Sequence, residues 1–484
     1  MQGATADDVE VQIVSRRVVR PEPATSLGGA PPETMHLTPW DLRGITVDYI
    51  QKGVLLPKPL AASGAEARHL VDGLASSFAR ALGRFYPLAG RLAVTDDGSD
   101  PGHGQGITVS LRCDGEGAEF VHAVAPDLTA GDITAPVFIP PVVWSLFPLN
   151  GTLGADVSCP VLAAQVTERA DGVFVAMSLN HCVADGTTFW HLFNTWSEIS
   201  RRSFVGGDAA AGGELSTPPP MLDRWFLDSC PVPICLPFGK LEDIIRRPVY
   251  APVECFFEFS SESVKKLKAK ANAEMSSTAT AAAVISSLQA LLAHVWRAAC
   301  RARELPPERE TTYMLLVGCR GRVRGVPQGY VGNAVTAATA KCAAGEVVDK
   351  GLGWAAWQLN RAVAAFDEEA VRGDLASWPG DPRFVYAAAA PSREEEEGAA
   401  AATKVVTGSS PRFDVYGNDF GWGKPVAVRS GAGNKMEGKV TVYEGIDGGG
   451  SMALEVCLSA RALARLVADE EFMAAVSAGG GAVA

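Results

Sequence analysis

The run VFVAMSLNHCVADG, residues 173–186, contains an apolar segment, a tight turn and the approach to a helix. Val173 to Leu179 is continuously apolar, as expected of a buried strand. Asp171-Gly172 separates it from a second apolar run, Val161 to Val166, so the two runs are predicted to form a hairpin. Thr187 to Ile199 then has the spacing of a helix rich in aromatic residues. The pattern predicts strands and helices interleaved in this half of the chain.

His181 lies where the second predicted strand ends. A side chain at a strand end can project into a cleft, and a neutral imidazole there can take a proton from a hydroxyl or an amine. Asp185 cannot share a helical face with His181, so we expect it to brace the turn through backbone amides or a distant arginine. Gly186 is expected to allow positive φ at the bend. The alternative is a histidine of the core, and this run alone favours that alternative.

Two further segments bear on the function. The run DFGWGKP, residues 419–425, has two glycines around a tryptophan, which suits a tight loop with a packed aromatic ring. Ser286 and Ser287 precede a predicted helix, and Arg320 and Arg322 follow a predicted strand. Hydroxyls at a helix start and clustered arginines would suit an anionic ligand such as a phosphorylated cofactor. Helix capping and surface charge explain the same residues equally well.

The composition of the 484 residues fits two domains with a large core, because 47% are apolar and 20% are charged. The net charge of −12 argues against a nucleic-acid surface. The first twenty residues hold no signal-peptide core, and no apolar run is long enough to cross a bilayer. Ten cysteines are scattered, and the spacing of Cys230 and Cys235 is not that of a zinc knuckle. We therefore expect a cytoplasmic protein without a metal site.

Composition also suggests where the domains divide. Residues 205–220 are rich in Gly, Ala, Ser and Pro, which is typical of a linker. We expect an N-terminal domain over residues 1–204, a crossover linker over 205–235 and a C-terminal domain over 236–484. A second low-complexity tract, 387–402, is expected to be an exposed loop.

Five segments together resemble the plant BAHD acyltransferase family. The hallmarks are His-x-x-x-Asp-Gly at 181–186 and Asp-Phe-Gly-Trp-Gly at 419–423, with supporting matches LTPWDL (37–42), FYPLAGRL (85–92) and YVGN (330–333). The sequence is most similar to an acetyltransferase-like subgroup. The resemblance implies an α/β fold of two similar chloramphenicol-acetyltransferase-like domains, with mixed sheets and a solvent channel between them.

The resemblance also implies a mechanism and a site. His181 would act as general base for direct transfer from acyl-CoA, a co-substrate, to the hydroxyl or amine of a small molecule, in a monomer with no permanently bound cofactor. Asp185 would be structural, with Arg320 as its partner. Asp419 is a family active-site position that we expect to be structural, as are Gly421, Trp422 and Gly423. Residues expected on the CoA side are Ser286, Ser287, Arg320, Arg322, Ser409, Ser410 and Arg412, and those expected in the acceptor pocket are Thr38, Trp40 and Tyr330.

Two questions stay open at this point. Many family members carry a tryptophan where this chain has Ser410, and that residue helps to hold the oxyanion, so the oxyanion donor is not assigned. The same scaffold also supports a lyase or a non-catalytic regulator. The intact His181 and Asp185 favour acyl transfer over both.

Overall fold

The computed structural model describes residues 9–22, 34–59, 65–96, 106–211, 214–246, 253–276, 284–386 and 403–477. Two six-stranded sheets dominate these residues, and a smaller sheet adjoins the first. Within these ranges no helix is both long and apolar enough to cross a membrane.

The first sheet is mixed, with one parallel pair among antiparallel neighbours. Its two central strands are buried on both faces, which explains the mostly apolar runs Val161 to Val166 and Val173 to Leu179. In spatial order the strands are β1 (Gln12–Val19), β6 (Ala118–Ala125), β7 (Leu162–Arg169), β8 (Gly172–Leu179), β3 (Ile50–Pro57) and β14 (Ala427–Ser430).

The second sheet is also mixed, and its two parallel pairs lie side by side. In spatial order its strands are β10 (Val253–Phe259), β16 (Met452–Leu458), β15 (Lys439–Glu444), β13 (Lys404–Thr407), β11 (Glu310–Gly318) and β12 (Val335–Ala343). The small sheet consists of β2 (Thr34–His36), β5 (Ile107–Arg112), β4 (Arg91–Asp96) and β9 (Cys235–Leu236).

Helices cover the sheets and complete two hydrophobic cores. In the first core, buried Trp196 donates from Nε1 to the carbonyl of Leu74 at 3.1 Å and so joins two helices. The helices are α1 (Pro39–Leu42), α2 (Ala65–Arg84), α3 (Ala130–Thr134), α4 (Gly186–Ala211), α5 (Ser261–Ser276), α6 (Ser287–Ala302), α7 (Ala344–Asp349), α8 (Gly351–Ala364), α9 (Glu368–Ser377), α10 (Ala460–Val467) and α11 (Glu470–Met473).

The predicted hairpin is confirmed, since β7 and β8 pair antiparallel with Arg169 opposite Gly172. The fold class is also confirmed, because both large sheets are mixed and carry helices. The expected exposed loop at 387–402 lies outside the described residues.

The predicted domain boundaries need two corrections. Helix α4 continues to Ala211, so residues 205–211 belong to a helix of the first domain and not to a linker. Strand β14 comes from the second half of the chain but pairs with β3, placing Ala427 opposite Leu55. The first sheet is therefore completed by a strand that crosses back from the second half.

Candidate active site

The turn after β8 places His181 at the end of a buried strand. Asn180 fixes the turn, because its side-chain oxygen accepts from the backbone N–H of Cys182 at 2.7 Å and its amide donates to the carbonyl of Gly154 at 3.0 Å. Gly44 lies against the same turn. A Cβ at residue 44 would be 2.5 Å from the carbonyl oxygen of His181, so only glycine fits there.

The backbone of His181 is also held from the second half of the chain. Asn333 donates from Nδ2 to the His181 carbonyl at 2.9 Å. Asp41 orients Asn333, since its Oδ1 accepts from the backbone N–H at 3.0 Å and from Nδ2 at 3.1 Å. Arg224 approaches the same carboxylate at 3.4 Å and donates to the carbonyl of Val183 at 3.0 Å. Asp41, Asn333 and Arg224 are therefore positioning residues that the sequence analysis did not identify.

Burial lowers the pKa of His181 below its ordinary value of 6.5, and the charge of Lys439 lowers it further. The backbone carbonyl of His181 acts in the opposite direction and raises the pKa of the ring. It makes no well-formed hydrogen bond with the imidazole. Nδ1 is buried without a partner among the described residues, so Nε2 is the nitrogen that can meet a substrate. An imidazole that is neutral at pH 7 in this position is suited to act as a base.

Asp185 and Arg320 form a buried ion pair beside the turn that carries His181. Arg320 donates to the two carboxylate oxygens at 2.7 and 3.0 Å, and its remaining donors go to the carbonyls of Tyr330 and Gly332. The backbone N–H groups of Thr188 and Ala334 also donate to Asp185, each at 3.0 Å. The expected brace is confirmed with Arg320 as its partner. The guanidinium of Arg320 is buried and bonded to protein groups, which argues against its expected contact with CoA.

The charges and hydrogen bonds around Asp185 keep its carboxyl group ionised. Burial alone would raise the pKa of Asp185, but the charge and hydrogen bonds of Arg320 and two backbone donors lower it below its usual value. A carboxylate in this state accepts hydrogen bonds and gives up no proton, so its role is positional.

The expectation that Gly186 has positive φ is wrong. Gly186 is the first residue of α4 and does not adopt positive φ. A Cβ at this position would lie 3.4 Å from the ring of Phe413, an ordinary contact distance. Phe413, which follows Ser409, Ser410 and Arg412 in sequence, therefore lies beside the start of α4.

The loop of residues 419–423 docks on the first domain. The carboxylate of Asp419 accepts from the backbone N–H groups of Gly421 at 2.8 Å and Gly423 at 3.2 Å. Phe420 packs edge-on against Trp196 with ring centroids 5.1 Å apart, and Trp422 donates from Nε1 to the carbonyl of Pro57 at 3.1 Å. The loop thus directs the chain into β14, and Asp419 stabilises the loop as expected of a structural residue.

The other residues expected on the CoA side are dispersed. Ser286 caps α6, since its hydroxyl accepts from the backbone N–H of Gln289 at 3.2 Å, and Ser287 is half-buried. The guanidinium of Arg322 lies 5.7 Å from the ring centre of Phe366 and is exposed. Ser409, Ser410 and Arg412 stay predicted CoA contacts, whereas Ser286 fills the alternative role of a helix cap.

The expected acceptor residues are buried in the packed interior. Thr38 is 1% exposed and its hydroxyl donates to Asp41 at 2.9 Å. Trp40 stacks on Trp225 with centroids 5.4 Å apart, and Tyr330 is 1% exposed. The cavity beside Thr38 and Trp40 has a volume of about 10 Å³, room for a single water. The acceptor pocket of Thr38, Trp40 and Tyr330 stays a prediction, and the burial of these residues shows that little of their surface is open to solvent.

Fold and site together define a two-domain acyltransferase. A model of the Transferase family matches residues 9–473, and the chain belongs to that family. An uncharacterized acetyltransferase of Arabidopsis thaliana is 33% identical, over 96% of this chain and 99% of its own length. The BAHD acyltransferase DCR of Arabidopsis thaliana is 32% identical, over 96% and 93%.

The structure of F. sporotrichioides TRI101 complexed with coenzyme A and T-2 has a TM-score of 0.64 and 18% identity, over 92% of this chain and 99% of that one. The family model and the BAHD relative confirm the BAHD resemblance and show an acyltransferase, and the solved structure shows that the fold is shared.

Proposed function

We propose that this protein transfers an acyl group from acyl-CoA to a hydroxyl or amine of a small molecule, with His181 as general base. The observation that carries the proposal is the setting of His181. Its backbone is fixed by Asn333 while its imidazole is kept neutral by burial. A rigid, neutral base is what proton abstraction from a weakly acidic acceptor needs.

The reaction proceeds by direct attack. Nε2 of His181 takes the proton from the acceptor oxygen or nitrogen as that atom attacks the thioester carbonyl carbon. The tetrahedral intermediate collapses, the C–S bond breaks, and the imidazolium returns the proton to the CoA thiolate. Proton transfer contributes about 10²–10⁴-fold, and positioning of the two substrates contributes further.

We infer that loop 408–413 forms part of the CoA side near the catalytic turn, because the ring of Phe413 lies against Gly186 at the start of α4. Ser409, Ser410 and Arg412 are accessible there and offer two hydroxyls and a guanidinium to the donor. Ser287 and Arg322 stay proposed contacts of the more distant CoA phosphates. We assign the stabilisation of the tetrahedral oxyanion to a hydrogen-bond donor of the same loop. Ser410→Ala tests this assignment, because loss of the donor should lower turnover.

We also infer that the protein acts as a cytoplasmic monomer, with no permanently bound cofactor. All ten cysteines are free, and most of them are buried, which fits a reducing compartment. Light scattering after size exclusion tests the monomer, and fractionation of expressing cells tests the location.

The deciding experiment is a screen of several acyl-CoAs against a plant metabolite extract, read by mass spectrometry. Acyl transfer predicts products heavier by the acyl group and one free CoA for each product. Product formation without CoA thioester would indicate the lyase, and no turnover with any donor would indicate the regulator.

A further inference from the structure

Strand β15 presents one of its two faces to the first domain. Val440 and Val442 point into the second core. Because side chains alternate along a strand, Lys439, Thr441 and Tyr443 point the other way. Tyr443 confirms the direction, since its hydroxyl lies 3.0 Å from Nζ of Lys52 on β3 in the first sheet. Lys439 therefore lies on the surface of the second sheet that faces the first domain.

A group of buried charges lies on the same surface. Lys435 contacts the carboxylates of Glu254 and Glu455, the second at 2.5 Å. Glu254, Glu455 and Cys457 have the spacing of metal ligands, but the ammonium of Lys435 already neutralises the two carboxylates. These carboxylates therefore need no further cation.

Lys439 has no such partner. No hydrogen bond or ion pair joins its ammonium to another described residue, and burial lowers the pKa of Lys439 below its usual value. By contrast, Lys52 is bonded to Ser430 at 2.6 Å and to Tyr443. Lys439 is half-buried, and a partly desolvated ammonium without an anion would be stabilised by a bound one.

The end of Lys439 lies beside the loop that contains Ser409 and Ser410. Its Nζ would lie 3.2 Å from a Cβ at Gly408, which directly precedes Ser409 and Ser410. Leu316 approaches the same point at 3.2 Å and is 39% exposed, so this end of the sheet surface is open to a ligand. The charge of Lys439 also acts on His181. The CoA phosphates, at the far end of the pantetheine arm, are too remote to be its partner.

We propose that Lys439 binds a carboxylate carried by one of the two substrates, and so selects an anionic substrate beside His181. The inference rests on the proposed function and adds to it a substrate class. The carboxylate belongs either to the acyl group, as in a malonyl donor, or to the acceptor. In both cases an ammonium on one side of the reacting atoms orients the substrate through a charge-assisted hydrogen bond.

The test compares Lys439→Met with wild type on substrates matched for charge. Malonyl-CoA and acetyl-CoA are the donor pair. A plant extract and the same extract with its carboxylic acids methylated are the acceptor pair. Lys404→Met is the control, because it removes the same charge from an exposed position on β13.

We expect Lys439→Met to reduce kcat/KM about tenfold or more for the charged member of one pair, as loss of a charged hydrogen bond implies. The neutral member changes less than about twofold by the same scale, and Lys404→Met resembles wild type. The affected pair identifies the source of the carboxylate.

Equal loss on charged and neutral substrates would overturn the proposal and assign Lys439 to the oxyanion. An unchanged variant would overturn it as well. A melting temperature at or above that of wild type shows that Lys439→Met is folded, as removal of an unpaired, half-buried charge predicts. If wild type releases no CoA with any donor, the proposed function fails instead, and calorimetric binding of malonyl-CoA against acetyl-CoA still tests Lys439.

Discussion

Asp185 and Arg320 lie 135 residues apart in sequence and form a two-point ion pair that joins the catalytic turn to the second half of the chain. The hydrogen bond from Asn333 to the carbonyl of His181 is a second connection across the same boundary. The position of the base therefore depends on how the two halves dock, and its surroundings are assembled from both.

Asp185→Asn should lower both stability and activity. The substitution leaves the Arg320 charge buried and uncompensated, which costs about 3–5 kcal/mol. Thermal unfolding monitored by circular dichroism measures the loss. The double variant Asp185→Leu/Arg320→Met removes both charges and should be more stable than Asp185→Asn. Unchanged melting with lost turnover would instead give Asp185 a direct chemical role.

Asn333→Ala should reduce kcat more than it raises the KM for acyl-CoA. It removes the Nδ2 donor to the His181 carbonyl and to Asp41 and leaves the backbone N–H bond to Asp41 in place, so the base is less well placed. Misplacement of about 1 Å can cost about 10²-fold in rate. Asn360→Ala on α8, which loses one 3.3 Å bond to Gln289, is the matched control. Equal effects of the two variants would contradict this positioning role.

The pH profile should report the lowered pKa of His181. The base is active when neutral, so kcat/KM should be flat near pH 7 and fall only below a midpoint under 6.5. The same shift affects stability. In the unfolded chain, His181 has its ordinary pKa of 6.5 and binds a proton more readily than in the folded protein. The contribution of neutral His181 to folding is therefore present above pH 6.5 and is lost as pH falls from there through the lowered pKa of the folded state. In Lys439→Met the midpoint of the kcat/KM profile should rise, because the positive charge that helps to lower the pKa of His181 is gone. A midpoint above 6.5 in wild type would contradict a desolvated base.

Gly421→Ala should destabilise the loop that directs the chain into β14. Gly421 has φ of 120°, and a Cβ there would lie 2.5 Å from Cβ of Phe204. Strain of this kind costs about 1–3 kcal/mol. Gly73→Ala is the control, because a Cβ at this α2 position meets nothing within 4 Å and alanine favours a helix. Equal melting temperatures of Gly421→Ala and Gly73→Ala would contradict the steric restriction at Gly421.

Local patterns predicted the catalytic turn well. Asp171-Gly172 identified the hairpin, and the end of the apolar run placed His181 at the end of β8. These features depend on residues adjacent in sequence. The partnership of Asp185 with Arg320 was also anticipated, but from the family resemblance and not from any local pattern.

Long-range features could not be predicted in the same way. Strand β14 pairs across the domain boundary, and its four residues carry no signal of which sheet they join. The Gly- and Ala-rich composition of 205–211 suggested a linker, although alanine also favours helix. Thr38, Trp40 and Tyr330 lie in segments that match the family, yet their burial depends on packing against residues such as Trp225. The anchoring of His181 by Asn333 likewise appears only when the two halves are docked.

The most direct test of the account is CoA release by His181→Ala, measured with a thiol reagent on the acyl-CoA and acceptor that wild type uses. His122→Ala, which removes a half-buried histidine paired with Glu168 at 2.7 Å, is the matched control. We predict that His181→Ala releases CoA about 10²–10⁴-fold more slowly, with unchanged melting, while His122→Ala retains its activity. Undiminished CoA release by folded His181→Ala would contradict the assignment of His181 as the base.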